Sequence, residues 1–66
     1  MKGHVSAFDN ARGLGEITGA DGTVYSFHCT AIADGTRTIA VGADVQFAVR
    51  PGRAGNWEAA RIEPAA

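Results

Sequence analysis

Arg12-Gly13-Leu14-Gly15-Glu16-Ile17 and Val24-Tyr25-Ser26-Phe27-His28-Cys29 are two short extended segments joined through an Asp21-Gly22 turn. Successive side chains of a strand point to opposite faces. Alternation therefore sets Leu14 and Glu16 on one face of the first segment, with Gly15 and Ile17 on the other. In the second segment it separates Ser26 and His28 from Tyr25 and Phe27. A Gly-containing loop between two such segments predicts a hairpin.

Working outward, glycine and turn signals cut the chain into short pieces, and no segment sustains a helical period for three turns. Gly3 to Asp9, with Val5 and Phe8, reads as a first strand, and Leu14 to Gly19 as a second. Thr23 to Cys29 is a third. Thr30 to Thr38 is expected to hold one helical turn and a loop that reverses at Asp34-Gly35. In Asp44 to Arg50, Val45, Phe47 and Val49 alternate with polar or small residues, which predicts a fourth strand. Pro51-Gly52 starts a glycine-rich connection, and Asn56 to Ile62 is the fifth strand. Glu63 to Ala66 is expected to be a frayed end. Five short strands with a long connection after the third fit one small all-β domain, residues 1–66, closed as a barrel so that no sheet edge stays exposed. Phe8, Ile17, Phe27, Val45, Phe47 and Val49 are its expected core, with Tyr25 joining them and its hydroxyl reaching an edge.

A chain of 66 residues buries only about 60% of its unfolded surface, so a large substrate pocket is not expected. The one cysteine, Cys29, excludes an intrachain disulfide. No apolar run approaches the roughly 20 residues that span a bilayer, no partner membrane is implied, and the N-terminal stretch lacks a signal-peptide core. A reducing cytoplasm is the expected setting. Six Lys/Arg against seven Asp/Glu give a formal charge of −1. That balance argues against strong nonspecific binding of phosphates, which depends on counterions released by Lys/Arg contacts. Neither Ser6 nor Ser26 has a histidine and acid set at a catalytic spacing, and Gly13-Leu14-Gly15 does not lead into the helix that a phosphate loop requires. His4, His28 and Cys29 are too few soft ligands for a zinc site of about four. No enzymatic activity, metal or cofactor is expected.

From Lys2 to Ile62 the order and spacing of motifs resemble the bacterial cold-shock family. The two quoted segments are similar to its ribonucleoprotein motifs, which read roughly KGFGFI and VFVHF. Gly3-His4-Val5 before Phe8-Asp9, Ala31-Ile32, Asp34-Gly35-Thr36-Arg37, Val41-Gly42 before Val45-Gln46-Phe47, and Pro51-Gly52 with Gly55 complete the set. The loop between the second and third strands is one residue shorter than in well-known members, and the stretch around Asn56-Trp57 one longer. The resemblance implies an all-β, five-stranded antiparallel OB-fold barrel that binds single-stranded RNA or DNA by stacking bases on aromatic rings of the second and third strands. Each stacked base is worth about 1–3 kcal/mol.

The resemblance also places the Leu14, Glu16, Ser26 and His28 face against the ligand, and there this chain departs from the family. Ala7 stands where the family usually has tryptophan; Leu14, Glu16, Ser26 and Cys29 stand where it has phenylalanine, and Thr36 at another usually aromatic position. Phe8, Arg12 and His28 carry over. Losing five stacks removes much of the roughly 12 kcal/mol of a nanomolar complex, so weak binding of low sequence specificity is expected, and Glu16 repels phosphate. His28 is either a base or phosphate contact, since an imidazole titrates near neutrality, or a solvated strand position. Arg12 is either a phosphate contact or a solvated turn charge. Arg37, Arg50 and Arg53 can reach a strand backbone from the loops, though solubility accounts for them more simply.

Trp57 lies in the longer register between Asn56 and Glu58, and strict alternation groups it with Ala59 and Arg61 rather than with Ala60 and Ile62. Two readings stand: it covers the open end of the barrel, the simpler one, or it is a relocated aromatic offered to a ligand, with Arg53 and Arg61 near it. Two function classes likewise follow. One is a weak single-stranded nucleic-acid binder; the other is a protein-interaction or structural module on the same barrel, whose binding would respond little to salt. The first is preferred. The sequence does not fix RNA against DNA, cold inducibility or oligomeric state.

Overall fold

The computed structural model describes every residue except Arg53, Ala54 and Ala66. Five strands follow in order: β1 (Lys2–Asp9), β2 (Leu14–Gly19), β3 (Val24–His28), β4 (Asp44–Pro51) and β5 (Trp57–Pro64). One turn of 3-10 helix, Cys29–Ala31, follows β3. The strands close a barrel in the spatial order β1-β2-β3-β5-β4. The expected antiparallel pairing holds at β1–β2, β1–β4, β2–β3 and β4–β5. The remaining seam, β3–β5, is parallel: Ser26 pairs with Glu58, and an Ile32–Ile62 bridge with the Ala33 N–H to Ile62 carbonyl bond of 2.9 Å extends it.

Val5, Ile17, Tyr25, Phe27, Ile32, Val45, Phe47, Ala59 and Ile62 form the buried core. Two bulges aim them inward. In β1, Val5 pairs with Ile17 and Ala7 with Glu16, leaving Ser6 over. That extra residue gives Val5 and Phe8, three apart, the same inward bias. In β5, Ala48 pairs with Ala60 and Gln46 with Glu63, so two β5 residues oppose one of β4, and Arg61 takes a left-handed φ of 51°. The bulge turns both Ala59 and Ile62 inward, at 2% and 1% exposure. Strict alternation, which sets Ala59 apart from Ile62, fails here for that reason.

Two further expectations are corrected. Val49 keeps the parity of Val45 and Phe47 yet is 37% exposed, because β1 pairs with β4 only over Asp44–Gln46 and the strand beyond is covered from the β5 side alone. Glu63 and Pro64 are not frayed but pair with Gln46 and Val45, and the Ala65 N–H continues to the Asp44 carbonyl at 3.0 Å. Ala66 lies outside the described residues.

The β2–β3 hairpin is pinned by its own side chains. Gly22 turns the chain at φ 82°. The Asp21 carboxylate accepts the Thr23 N–H at 3.0 Å and the Tyr25 hydroxyl at 2.9 Å, so the Tyr25 oxygen reaches the rim while its ring packs against Phe47. On the inner side Gly15 lies flat on Phe27: a Cβ there would come 2.5 Å from Phe27 Cζ and 2.9 Å from the Ala7 carbonyl. The glycine of the first motif is thus required by the phenylalanine of the second.

Candidate nucleic-acid interface

The outward face of β2 and β3 is a small grid set by register. Leu14 lies opposite His28 and Glu16 opposite Ser26; on the other side, β1 brings Asp9 to Leu14 and Ala7 to Glu16. All of these side chains are exposed; alternation predicts this for β2 and β3, while in β1 the bulge at Ser6 turns Ala7 and Asp9 outward although they share the parity of the buried Val5. The face is shallow because Ala7 and Ser26 are short, and Leu14, 44% exposed, is its largest apolar side chain.

Three depressions run together across it and share Ser26. One, of about 450 Å³, is bounded by Ala7, Asp9, Leu14, Glu16 and Phe27. A second, of about 150 Å³, lies between Leu14, His28, Thr30, Arg50 and Glu58, again over Phe27. The third, of about 340 Å³, reaches from Glu16 past Val24 to Asn56 and Trp57. Phe27 was read from the sequence as core alone, and it is 4% exposed. It nevertheless floors two of the depressions, since Gly15 beside it has no side chain. No sequence pattern distinguishes such a floor from an ordinary core ring.

His28 has a second task. Its Nδ1 accepts the Thr30 N–H at 3.2 Å and lies 3.0 Å from Thr30 Oγ1, capping the 3-10 turn. An Nδ1 that accepts a backbone N–H places the neutral imidazole's proton on Nε2. Cys29 beside it is partly buried. Among the described residues no three His, Cys, Asp or Glu side chains group to hold a metal.

Arg12 sits on a tight turn in which Asp9 Oδ1 accepts the Ala11 and Arg12 N–H groups at 3.1 and 3.2 Å. The Gly13 carbonyl then takes the Cys29 N–H at 2.7 Å, which moors this turn to the end of β3 next to His28. The exposed Arg12 thus belongs to the Leu14–His28 end of the face. Arg50 is held by Glu58 at 3.6 Å, an exposed contact of small energetic value. Arg37, at φ 62°, stands in the long loop beside the Asp34–Thr36 turn and borders none of the three depressions. Arg53 lies outside the described residues. Phe8 also stays off the outer face, partly buried, its ring stacked on Phe27.

Trp57 is 53% exposed and stands outside the buried core. The parallel seam explains its place: pairing of Glu58 with Ser26 brings the preceding residue to the Glu16–Ser26 end of the face. Arg61 is not its neighbour there. It borders a separate depression with Met1, Gln46 and Glu63.

Residues 1–65 match the 'Cold-shock' DNA-binding domain family. The chain belongs to the cold-shock domain family. It is 40% identical over 57 residues to the cold shock-like protein CspC of Shigella flexneri, covering 83% of each chain. The same identity and coverage hold for CspC of Escherichia coli strain K12. Cold shock-like protein CspD of that strain is also 40% identical, over 83% of this chain and 77% of its own. Membership makes nucleic-acid binding the function class of the barrel. The outward face of β2 and β3 in this cold-shock domain carries Leu14, Glu16, Ser26 and His28 and no phenylalanine, tyrosine or tryptophan. No helix among the described residues is long and apolar enough to cross a membrane.

Proposed function

We propose that this cold-shock domain binds single-stranded RNA or DNA weakly and with little sequence preference along most of the strand, as a cytoplasmic, non-catalytic protein. The observation that carries this reading is the continuity of the face: Leu14, Ser26 and His28 on β2–β3 join Trp57 on β5 through depressions that share Ser26. Phosphate would be met from the edge by Arg12, with Arg37 and Arg53 as loop cations. Base contact would fall to Leu14, His28 and the relocated Trp57, with Phe8 bracing Phe27 from within. Loss of family rings lowers affinity, because each stack is worth about 1–3 kcal/mol, and the carboxylates of Asp9, Glu16 and Glu58 on or beside the face lower it further.

The test is a titration of mixed-sequence single-stranded oligonucleotides at low salt, read by Trp57 fluorescence and by oligonucleotide anisotropy. Micromolar binding with quenching of Trp57 is expected. The log–log salt slope should be shallow, roughly −1.4 to −2.1, as about two or three phosphate contacts give on a single strand. No binding at high micromolar protein overturns the reading and directs the search to a protein partner.

A further inference from the structure

The depression at the β5 end of the face is built differently from a stacking platform. Glu16 and Trp57 both line it, with Val24, Ser26 and Asn56. Glu16 makes no ion pair among the described residues. Its cross-strand neighbours are Ala7 and Ser26, two of the shortest side chains available, so nothing large covers it from either strand. Trp57 is 53% exposed, and the parallel seam fixes its strand against β3. An exposed carboxylate facing a nucleic acid repels phosphate, but it is an acceptor with two oxygens for any base edge that carries donors.

The four bases differ sharply before such a group. Uracil and thymine present one ring N–H between two carbonyl oxygens, so a carboxylate that takes the proton meets an acceptor on each side. Adenine and cytosine present one amino group next to an acceptor ring nitrogen. Guanine alone presents two adjacent donors, N1–H and the N2 amino group, which match the two carboxylate oxygens. We infer that the Glu16–Trp57 depression is a guanine seat, in which the base lies against the Trp57 ring and donates N1–H and N2–H to the Glu16 carboxylate. The inference rests on the proposed single-strand binding and adds a base preference at one position of the bound strand. It gives the replacement of a ring by Glu16 a use: a stacking contact indifferent to base becomes a hydrogen-bonded one that selects.

The experiment compares heptamers of thymidine that carry one central guanine, hypoxanthine, adenine or thymine, titrated against the full chain by anisotropy at low salt. A bidentate pair of this kind discriminates by about 1–3 kcal/mol, or roughly 5- to 150-fold in Kd. The guanine heptamer should bind tighter than the thymine one by a factor in that range. Hypoxanthine, which lacks the amino group, should lose most of the gain. In E16Q the guanine preference should collapse while thymine binding tightens, since a repelling charge has gone. Equal Kd values across the heptamers, or a guanine preference that survives in E16Q, overturn the guanine seat and leave single-strand binding standing. Absence of binding to every heptamer overturns single-strand binding itself and the seat with it.

Discussion

The rings of Phe8 and Phe27 lie stacked, 5.9 Å between centroids and 10° between planes. Phe8 thereby props the ring that floors the candidate face, and Gly15 lies on the same ring. A methyl at Gly15 would strike Phe27 Cζ and the Ala7 carbonyl at once, neither of which is a loose side-chain end. G15A should destabilise the barrel by about 1–3 kcal/mol, the usual cost of overpacking. A urea midpoint that falls with the slope unchanged would agree; a wild-type midpoint would show that Phe27 is free to move.

Trp57 and Ile62 belong to one strand and should answer to different measurements. Ile62 is 1% exposed, so I62A should lose about 2–5 kcal/mol of stability. W57A should leave the melting temperature within a few degrees and weaken oligonucleotide binding by roughly 5- to 150-fold, the value of one stack. Unfolding of W57A would support the barrel-capping reading.

The missing platform can be rebuilt. Ser26 borders all three depressions of the face, and Leu14 lies diagonally across the ladder from it. L14F and S26F each add an aromatic surface, and each should tighten single-strand binding by about 1–3 kcal/mol, measured as the ratio of anisotropy Kd values. Affinities unchanged in both variants would show that the strand takes another path across the barrel.

The pH profile should carry the mark of the hairpin. The bond from the Thr23 N–H, and then that from the Tyr25 hydroxyl, hold the Asp21 carboxyl below its ordinary value near 3.8. Bonds from Thr36 do the same for Asp34. A carboxyl depressed on folding stabilises fully above its unfolded value and loses that contribution as pH falls through the folded one. Stability should therefore drop below about pH 4, with a smaller drop in D21N. Tyr25, raised above its ordinary 10.0 chiefly by the bond to Asp21, runs the other way: its contribution is full below that value and fades as pH climbs through the raised one. Y25F should remove this alkaline limb. Melting temperatures across the pH range that superimpose for wild type, D21N and Y25F would refute the linkage.

Most of the frame was legible because it rests on local rules. Alternation placed Leu14, Glu16, Ser26 and His28 outward and Ile17, Tyr25 and Phe27 inward, and glycine marked the turns. What escaped depends on contacts between distant segments. Nothing in Ala60-Arg61-Ile62 announces that Arg61 takes a positive φ, since any residue type there reads as ordinary strand; the pairing with β4 imposes it. Val49 has a core residue's pattern but stands where β1 has already left the β4 edge. The position of Trp57 follows from the Ser26–Glu58 pair, a contact between strands that alternation treats independently. Phe27 was assigned its place but not its second role, because an inward ring becomes a floor only through the absence of a side chain on Gly15.

The parallel seam between β3 and β5 also makes β5 the strand that closes the barrel. β1, β2 and β3 can pair without it, and β4 can join β1, yet β5 fills the gap between β3 and β4. Until Trp57–Pro64 docks, a chain with β1 to β4 paired is an open sheet with two bare edges, β3 and β4, a template for pairing with other chains. Docking of β5 is therefore the step that ends the exposure, however early the other four strands have paired.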